Sequence, residues 1–314
     1  MKRNALVGAA VLCTALLVGL TPATSGLSQE QAANQTFQFG NSDPAFAFDS
    51  GPLVCVDAAH HNYHTADGRY RPFAELLRGD GYLVEGFDST FSPEALERCD
   101  LLVIANPLGE ANAGDDWAFP HPSAFTREEL DATYSWIRAG GALLLIADHA
   151  PIAGAARDLG MMLGVGMLDG YAYDPTQEPD TFREETGGLV DHPITKGRNP
   201  DEQIDHVVTW TGQAFVAAEG IAPILVWGPG AMMRVALDEN FPDMPEEELP
   251  LIPIEGLLHA AAAELEEGRF VMLGEAAMCT AQSSEDFDFG MSAPEADQNA
   301  QFCLNVVRWL TGVL

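Results

Sequence analysis

The sequence predicts an α/β protein, a single domain with insertions built on a mostly parallel β-sheet. In the first half of the chain, short apolar runs typical of buried strands alternate with amphipathic helical segments. This alternation fits strand–helix–strand units with right-handed crossovers, which place successive strands parallel. The length of 314 residues and the hydrophobic content of 47% are sufficient for one large globular core.

Each element of the first half has a local signal. Thr126 followed by Glu129 forms a capping box that opens a helix running to Arg138. Two of the apolar runs have no polar residue, as expected for strands covered on both faces. The predicted strands are Leu53–Val56, Tyr82–Glu85, Leu101–Ala105 and Ala142–Ala147. The other predicted helices are Tyr70–Arg78, one that opens at Ser92-Pro93-Glu94, and one near Ala155–Leu163.

The second half is less regular. Residues 171–205 are rich in Pro, Gly and acidic residues and predict a long excursion, and residues 238–253 predict an acidic surface loop. Three apolar runs are expected to be antiparallel strands added at one sheet edge: Val207–Trp210, Ile224–Trp227 and Met232–Leu237. Phe270–Gly274 predicts a return to a buried strand, and Gln298–Leu310 predicts a closing amphipathic helix.

The N-terminus predicts export. Lys2 and Arg3 precede an apolar run from Ala5 to Leu20, and small residues follow before Gly26. This pattern is typical of a secretory signal peptide, here residues 1–25. Residues 26–50 then form an N-terminal arm, and residues 51–314 form the domain. We therefore expect a periplasmic or secreted protein.

The charge balance limits the partners. The chain has 15 Lys and Arg against 47 Asp and Glu, a formal net charge of −32. A surface this acidic repels phosphate backbones, so nucleic acid is not an expected partner. No stretch beyond the signal is long and apolar enough to span a membrane. The expected partner is a small molecule or a glycan.

Four cysteines remain after signal cleavage: Cys55, Cys99, Cys279 and Cys303. In an oxidising compartment this even number permits two disulfides. Cys55 and Cys99, however, lie in or beside apolar strand-like runs, where buried free cysteine is common. Free thiols are the favoured interpretation, and disulfides are the alternative.

Polar side chains follow the predicted strands at the edge where parallel α/β sheets bind ligands. Histidines and carboxylates dominate this group, and three of the 8 histidines fall within five residues. The group comprises Asp57, His60 and His64 after the first strand, Asn106 after the third, Asp148 and His149 after the fourth, and Glu275 after the last. Such side chains suit zinc or a similar divalent ion, although the spacing is not that of the HExxH motif.

Two arrangements of this group remain open. In one, Asp57, His60 and His64 bind a divalent metal such as zinc that activates water. In the other, no metal is bound and a histidine–carboxylate pair performs acid–base catalysis. In both, the predicted catalytic residues are His149, Asp148 and Glu275. The predicted substrate-binding residues are Asn62, Arg69, Tyr70, Asn106 and His192, the last as part of a lid over the strand ends.

Other chemistries lack their motifs. No G-x-S-x-G nucleophile elbow occurs, and the turn after the fourth strand reads Ala147-Asp148-His149 without Ser or Cys. No glycine-rich phosphate loop follows the first strand, which argues against a dinucleotide site.

Several segments together resemble one family. They are DAAHHNYHTADGRYRPFAELL, LLLIADHAP, HPIT, and GRFVMLGEAAMCTAQ with QNAQFCLNVVRWLTG. This family is the secreted branch of the class I glutamine amidotransferase-like superfamily known as domain of unknown function 4350, with ThuA-like relatives. The resemblance covers about residues 51–314. It implies a flavodoxin-like three-layer sandwich that has lost the amidotransferase cysteine.

The resemblance also maps the site. His60, Asn62, His64, Asp148, His149 and Glu275 match the family's motif positions. The chain departs from the pattern at Ala58 and His61, where the family leads us to expect Glu and Asn. Two hypotheses follow: a periplasmic hydrolase-like or sugar-processing enzyme, and a non-catalytic module that binds a carbohydrate or other small molecule.

Overall fold

The computed structural model describes residues 32–114, 118–238, 240–241, 244–245, 248–283 and 287–314. The predicted signal peptide, residues 1–25, lies outside the described residues, and the arm is described from residue 32 onward. Within the described residues no helix is both long and apolar enough to cross a membrane.

The protein is a mixed α/β structure whose helices and strands alternate most regularly in its first half. The strands are β1 Ala32–Ala33, β2 Leu53–Asp57, β3 Leu83–Phe87, β4 Leu101–Ala105, β5 Ala142–Ile146, β6 Val165–Met167, β7 Gly170–Tyr173, β8 Asp180–Arg183, β9 His206–Thr209, β10 Phe215–Ala217, β11 Ala222–Val226, β12 Met232–Val235, β13 Leu251–Pro253, β14 Leu258–Leu265, β15 Gly268–Leu273, β16 Ala281–Ser283 and β17 Asp288–Gly290. The helices are α1 Arg71–Gly79, α2 Pro93–Leu96, α3 Arg127–Arg138, α4 Ile152–Met162, α5 Pro193–Lys196 and α6 Asn299–Leu310.

A nine-stranded sheet forms the centre of the protein. Its order is β3-β2-β4-β5-β15-β14-β10-β6, with β11 also paired to β14. The strands from β3 to β15 are parallel, as predicted, and those from β14 onward are antiparallel. In register, Ala105 and Leu273 both pair with Ile146. The residues that follow these three strands therefore lie side by side at the same edge of the sheet.

Apolar side chains cover both faces of the parallel strands. Alternate residues of β2 and β4 enter two different hydrophobic clusters, because successive side chains of a strand point to opposite faces. One cluster contains Phe73 of α1 and Phe302 of α6. The other contains Leu96 of α2, Leu130 of α3 and Ile152 of α4. Helices thus lie on both faces of the sheet.

The additions in the second half differ from the prediction. Of the three predicted antiparallel additions, β11 joins the central sheet through β14. The other two do not: β9 pairs with β8 in a two-stranded sheet, and β12 lies between β7 and β13 in a three-stranded sheet. The reason is that β9 and β12 have other pairing partners, namely β8, β7 and β13, none of which the sequence predicted. These are strands of three or four residues, too short to give a periodic signal.

Both disulfides form, so the expectation of free thiols was wrong. Cys55 is bonded to Cys99, and Cys279 is bonded to Cys303, with Cα–Cα distances of 5.8 and 5.9 Å. Cys55 lies within β2 and Cys99 lies just before the neighbouring strand β4. Tertiary pairing of the strands brings the two residues within bonding distance, which the apolar character of each segment alone did not indicate.

Candidate functional site

The candidate site lies at the carboxyl ends of β2, β4, β5 and β15. After β2 the chain forms β3 on one side, and it then crosses to form β4 on the other. The strand order therefore reverses between β2 and β4, and a crevice opens at such a switch point. The loop after β2 lies here, where Tyr63 donates its backbone N–H to the carbonyl of Asn106, 3.0 Å away.

His60 is held at both ring nitrogens. Its Nδ1 lies 2.9 Å from Oδ2 of Asp57, and its Nε2 lies 3.0 Å from Oε1 of Glu129. The rings of Phe91 and Phe125 pack on the imidazole, with centroids 4.4 and 4.9 Å away. Because both acceptors are carboxylates, the imidazole donates at both nitrogens only when it is protonated.

The charges agree with this geometry. Burial lowers the pKa of His60, but hydrogen bonds and charge from Asp57 and Glu129 outweigh burial, so the pKa is raised. Burial raises the pKa of Glu129, but its bonds to Thr126 and His60 outweigh burial and the pKa is lowered. His60 therefore acts as a positively charged brace between β2 and α3.

The predicted metal ligands do not form a metal site. His60 has no ring nitrogen left for a metal, and both oxygens of Asp57 lie against His60. His64 is buried against the ring of Tyr70, with centroids 4.8 Å apart. Across the described ranges, no group of three or more His, Cys, Asp or Glu side chains is placed to hold a metal ion. The metal site of Asp57, His60 and His64 therefore stays a prediction, and the geometry gives it no support, because Asp57 and His60 bond each other.

His64 differs from His60 in having no counter-ion. Its Nδ1 is buried without a hydrogen-bond partner among the described residues. Burial, together with the positive charge of Arg69, lowers the pKa of His64 to about 3. His64 is therefore neutral at physiological pH.

Asp148 and Asn106 form a reciprocal pair at the strand ends. Asn106 Nδ2 donates to Asp148 Oδ2 at 3.2 Å, and the backbone N–H of Asp148 donates to Asn106 Oδ1 at 3.1 Å. Asn106 has a φ of 54°, in the left-handed region that Asn tolerates better than most residues. This backbone turn directs the Asn106 amide toward the neighbouring strand and fixes the Asp148 carboxylate.

Glu275 is fully buried, and its carboxylate accepts three backbone hydrogen bonds. The donors are the N–H groups of Trp210 and Thr211 to Oε1, at 2.6 and 3.0 Å, and of Met278 to Oε2, at 3.0 Å. Burial and the charge of Asp148 raise the pKa of Glu275 well above its usual value, partly offset by these bonds. Glu275 thus joins the turn after β15 to the chain after β9.

Tyr70 lies deeper than predicted. It is fully buried and donates its hydroxyl to the carbonyl of Ala276 at 3.0 Å. Burial, with the charges of Asp148 and Glu275, raises the pKa of Tyr70. The predicted substrate contact by Tyr70 is therefore wrong, because its hydroxyl is used inside the protein.

His149 is half-buried and belongs to an aromatic stack. Its ring lies on Tyr171, with centroids 4.2 Å apart and planes inclined by 26°, and Tyr171 in turn stacks on Phe241. Nδ1 of His149 lies 2.7 Å from the carbonyl oxygen of Ala150 and donates to it. This bond leaves Nε2 as the nitrogen available to a ligand. Burial and the charge of Asp148 are the leading causes that raise the pKa of Tyr171 to about 12.

The exposed rim is formed by the loop after β2. Tyr63 is 52% exposed, and the guanidinium carbon of Arg69 lies 5.5 Å from its ring centroid. Asn62 braces the loop, since its Oδ1 accepts the N–H of His60 at 3.1 Å. The structure thus leaves Arg69, among the predicted substrate-binding residues, at the rim, and gives Asn62 a structural contact.

His192 is not a lid. It caps α5, with Nδ1 accepting the N–H of Ile194 at 3.2 Å, and its ring lies 5.4 Å from Trp309. Trp309 also accepts a hydrogen bond from Arg269, at the amino end of β15. His192 is therefore at the opposite end of the sheet from the site, and the lid prediction was wrong. His192 is occupied here because α5 begins at Pro193 of the HPIT segment and His192 caps it.

Three residues of the site were missed. Glu129 was recognised through its capping box, and Oε2 does accept the Thr126 N–H, but Oε1 also holds His60. Tyr171 belongs to the excursion, where nothing in the sequence marks it. Tyr63 stands between two predicted ligands, and an aromatic residue inside a histidine-rich loop was the available signal.

The fold has relatives among solved structures. No family model matches the chain, and no curated protein matches it. The chain is similar to the mmIFT52 N-terminal domain, with 14% identity and a TM-score of 0.58 over 82% of this chain and 97% of that one. It is similar to the cytoplasmic protein STM1381 from Salmonella typhimurium LT2, with 13% identity and a TM-score of 0.50 over 82% and 98% of the two chains. At these identities the likeness concerns the fold alone.

The solved structures also include a protein named ThuA-like, from Bacteroides uniformis ATCC 8492. Its identity to this chain is 12%, with a TM-score of 0.48 over 87% of this chain and 94% of that one. ThuA-like proteins are thus among the structural neighbours.

Proposed function

We propose that the protein is a binding module for a carbohydrate or a similar small ring-bearing molecule, held at the carboxyl ends of the parallel strands. The observation that carries this proposal is the stack of half-buried His149 on Tyr171, beside the Asp148–Asn106 pair. Aromatic faces and a few fixed polar groups are what small-ligand sites provide. Exposed Tyr63 adds a second aromatic surface at the rim.

The predicted catalytic groups favour binding over turnover. The Glu275 carboxylate is fully buried and saturated by backbone N–H groups. Asp148 accepts the N–H of His149, and no hydrogen bond joins their side chains among those described. A general base must reach the proton that it removes, and Glu275 is enclosed.

A hydrolase is the second candidate, favoured by the effect of one carboxyl group on another. Burial and the charge of Asp148 raise the pKa of Glu275 well above its usual value. Enzymes use such a raised pKa to keep a carboxyl group available as a general acid. In this alternative Asp148 is the base and Glu275 the acid.

We further propose a flavodoxin-like sandwich of the ThuA-like group and the domain of unknown function 4350 type, exported to the periplasm or the medium. Numbered along the chain, the parallel strands have the order 2-1-3-4-5, which flavodoxin-like folds share. The quoted motifs support the family, and two disulfides are typical of an oxidising compartment.

The test combines binding and hydrolysis on one panel of sugars, glycosides and esters. We expect saturable sugar binding by calorimetry without turnover. His149→Ala should weaken that binding at least tenfold and leave the melting temperature within a few degrees, whereas the control His206→Ala, outside the site, should bind normally. Turnover by the wild type that Glu275→Gln and Asp148→Asn abolish would establish the hydrolase instead. Absence of both activities across the panel would refute both candidates.

A further inference from the structure

Arg69 is a half-buried cation without an anionic partner. The described residues contain no carboxylate in an ion pair with Arg69, although the chain carries 47 acidic residues. Most other basic side chains of the described part are paired, for example Arg78 with Glu75 and Arg157 with Asp169. Arg71 and Arg183 also lack such a partner among the described residues, but both are exposed, whereas Arg69 is half-buried.

The surroundings of Arg69 do not neutralise it. Its neighbours are the ring of Tyr63 and the imidazole of His64, on which its charge acts. His64 is 5% exposed, is neutral, and leaves Nδ1 without a partner. The two carboxylates at the strand ends have other partners, since Asp148 accepts from Asn106 and Glu275 accepts from backbone N–H groups.

Tyr63 offers an exposed aromatic surface beside Arg69. Its ring is 52% exposed, so a ligand ring has access to it at the place where the guanidinium lies. A guanidinium offers a planar fork of donors that matches a carboxylate bidentately. A carboxylate carries less charge than a phosphate, and the field of a strongly acidic protein opposes the phosphate more.

We propose that the ligand of this site is a sugar acid, whose carboxylate binds Arg69 while its ring packs on Tyr63. This inference rests on the proposed function and narrows its ligand class. In this proposal Arg69 selects ligands that carry a carboxylate. The Asp148–Asn106 pair and His149 recognise the hydroxyl groups of the sugar.

The test uses matched pairs of probes that differ in one carboxylate: glucuronate with glucose, galacturonate with galactose, and mannuronate with mannose. Calorimetry on the wild-type chain should show at least tenfold tighter binding of the acid in one pair, with affinity that falls as sodium chloride is added. Arg69→Gln should bring the acid to the affinity that the same variant shows for its neutral partner. Arg69→Lys should retain part of the preference.

Arg71→Gln is the matched control. Arg71 lies two residues away, is exposed, and also has no carboxylate partner among the described residues, so its loss should leave the acid preference intact. Equal affinity for acid and neutral sugar in the wild type would overturn this inference and leave the binding module standing. A preference that survives in Arg69→Gln would also overturn it. Lack of binding to every probe, neutral and acidic, would count against the proposed function as well.

Discussion

His60 and Glu129, 69 positions apart, are joined by a hydrogen bond of 3.0 Å between Nε2 and Oε1. Glu129 is also the third residue of its helix, where Oε2 accepts the backbone N–H of Thr126. One carboxylate thus caps α3 and fixes the loop after β2. The loop that carries the rim of the candidate site is therefore positioned by the start of α3.

Glu129→Ala should destabilise the protein strongly. The change removes the acceptor for His60, for the N–H of Phe91 and for the N–H of Thr126, and it leaves His60 with a single carboxylate partner. Removing one partner of a buried ion pair costs about 3–5 kcal/mol, and we expect that range in denaturant unfolding. The control is Arg127→Ala, which breaks the exposed pair with Asp131 and should have little effect on the unfolding free energy.

The same pair predicts a pH window. The raised pKa of His60 gives stability that is full below its ordinary pKa of 6.5 and is lost as pH rises through the folded value. The lowered pKa of Glu129 gives stability that is full above 4.5 and is lost as pH falls. The difference in unfolding free energy between wild type and Glu129→Ala should therefore be largest between pH 4.5 and 6.5. A difference that stays constant both below pH 4.5 and well above pH 6.5 would contradict the assignment.

Asp180→Asn should stabilise the protein at neutral pH and above. Asp180 is buried, and burial with the charges of Asp174 and Glu178 raises its pKa to about 7 from an ordinary 3.8. A raised pKa means that its stabilising contribution is full below 3.8 and is lost as pH rises toward 7.

Asn keeps the oxygen that accepts the Asp174 N–H at 2.8 Å and removes the charge. We expect a gain of about 2–4 kcal/mol above pH 7 and little change below pH 3.8. The control is Glu185→Gln, which changes an exposed acid near the same strand. It should change the unfolding free energy by no more than about 0.5 kcal/mol at either pH. Loss of stability in Asp180→Asn at pH 8 would show that the ionised carboxylate is needed.

Arg308→Met should unfold the protein or cost about 3–5 kcal/mol, since it leaves the buried Asp80 carboxylate without its cation. Glu202 also loses a contact, although it keeps its pair with Arg198. Arg308 is fully buried and bonds both oxygens of Asp80, at 2.8 and 2.6 Å, and it lies 2.9 Å from Glu202. Asp80 also accepts hydrogen bonds from the Asn41 side chain and the Ala45 backbone N–H. The described part of the arm is therefore attached to the domain through Asp80.

The double variant Asp80→Asn/Arg308→Met separates the ion pair from its packing. Because it removes both charges, it should recover part of the loss in unfolding free energy. Equal stability of the two variants would mean that Arg308 acts through packing alone. The surface variant Arg138→Ala, which breaks the exposed pair with Glu266, serves as a control and should have little effect.

Removing either disulfide should lower stability without changing the sheet. Cys55→Ala/Cys99→Ala opens a link between residues 44 apart, and Cys279→Ala/Cys303→Ala opens one between residues 24 apart. Chain-entropy estimates give about 4 and 3.5 kcal/mol for loops of these lengths. Thiol titration of denatured protein, with and without reductant, tests the pairing directly: free Cys55 or Cys279 before reduction would contradict it.

The parallel part of the fold was predictable because its signals are local. The strand Leu101–Ala105 was predicted with its observed bounds, and the capping box at Thr126 was confirmed. Runs of apolar residues and a cap depend on neighbours in the chain, so they survive in any tertiary context. The short strands β6 and β10 gave no such signal, because strands of three residues have no measurable period.

The site was predictable in its place but not in its roles. The rule that ligands bind beyond the carboxyl ends of parallel strands placed Asp148 and Asn106 correctly beside each other. It could not tell that Glu275 would be saturated by backbone N–H groups or that Tyr70 would donate inward. Those outcomes depend on segments 65 and 206 positions away.

The sequence by itself determined the class of the fold, the strong negative charge and the edge of the sheet at which polar side chains gather. Only the tertiary structure decided which of those side chains are free to act. His60 and His64 are four residues apart and are chemically identical, yet one lies between two carboxylates and the other has a lowered pKa in an apolar position. Burial and partners brought from distant segments set the charge of each, and the local sequence does not specify either.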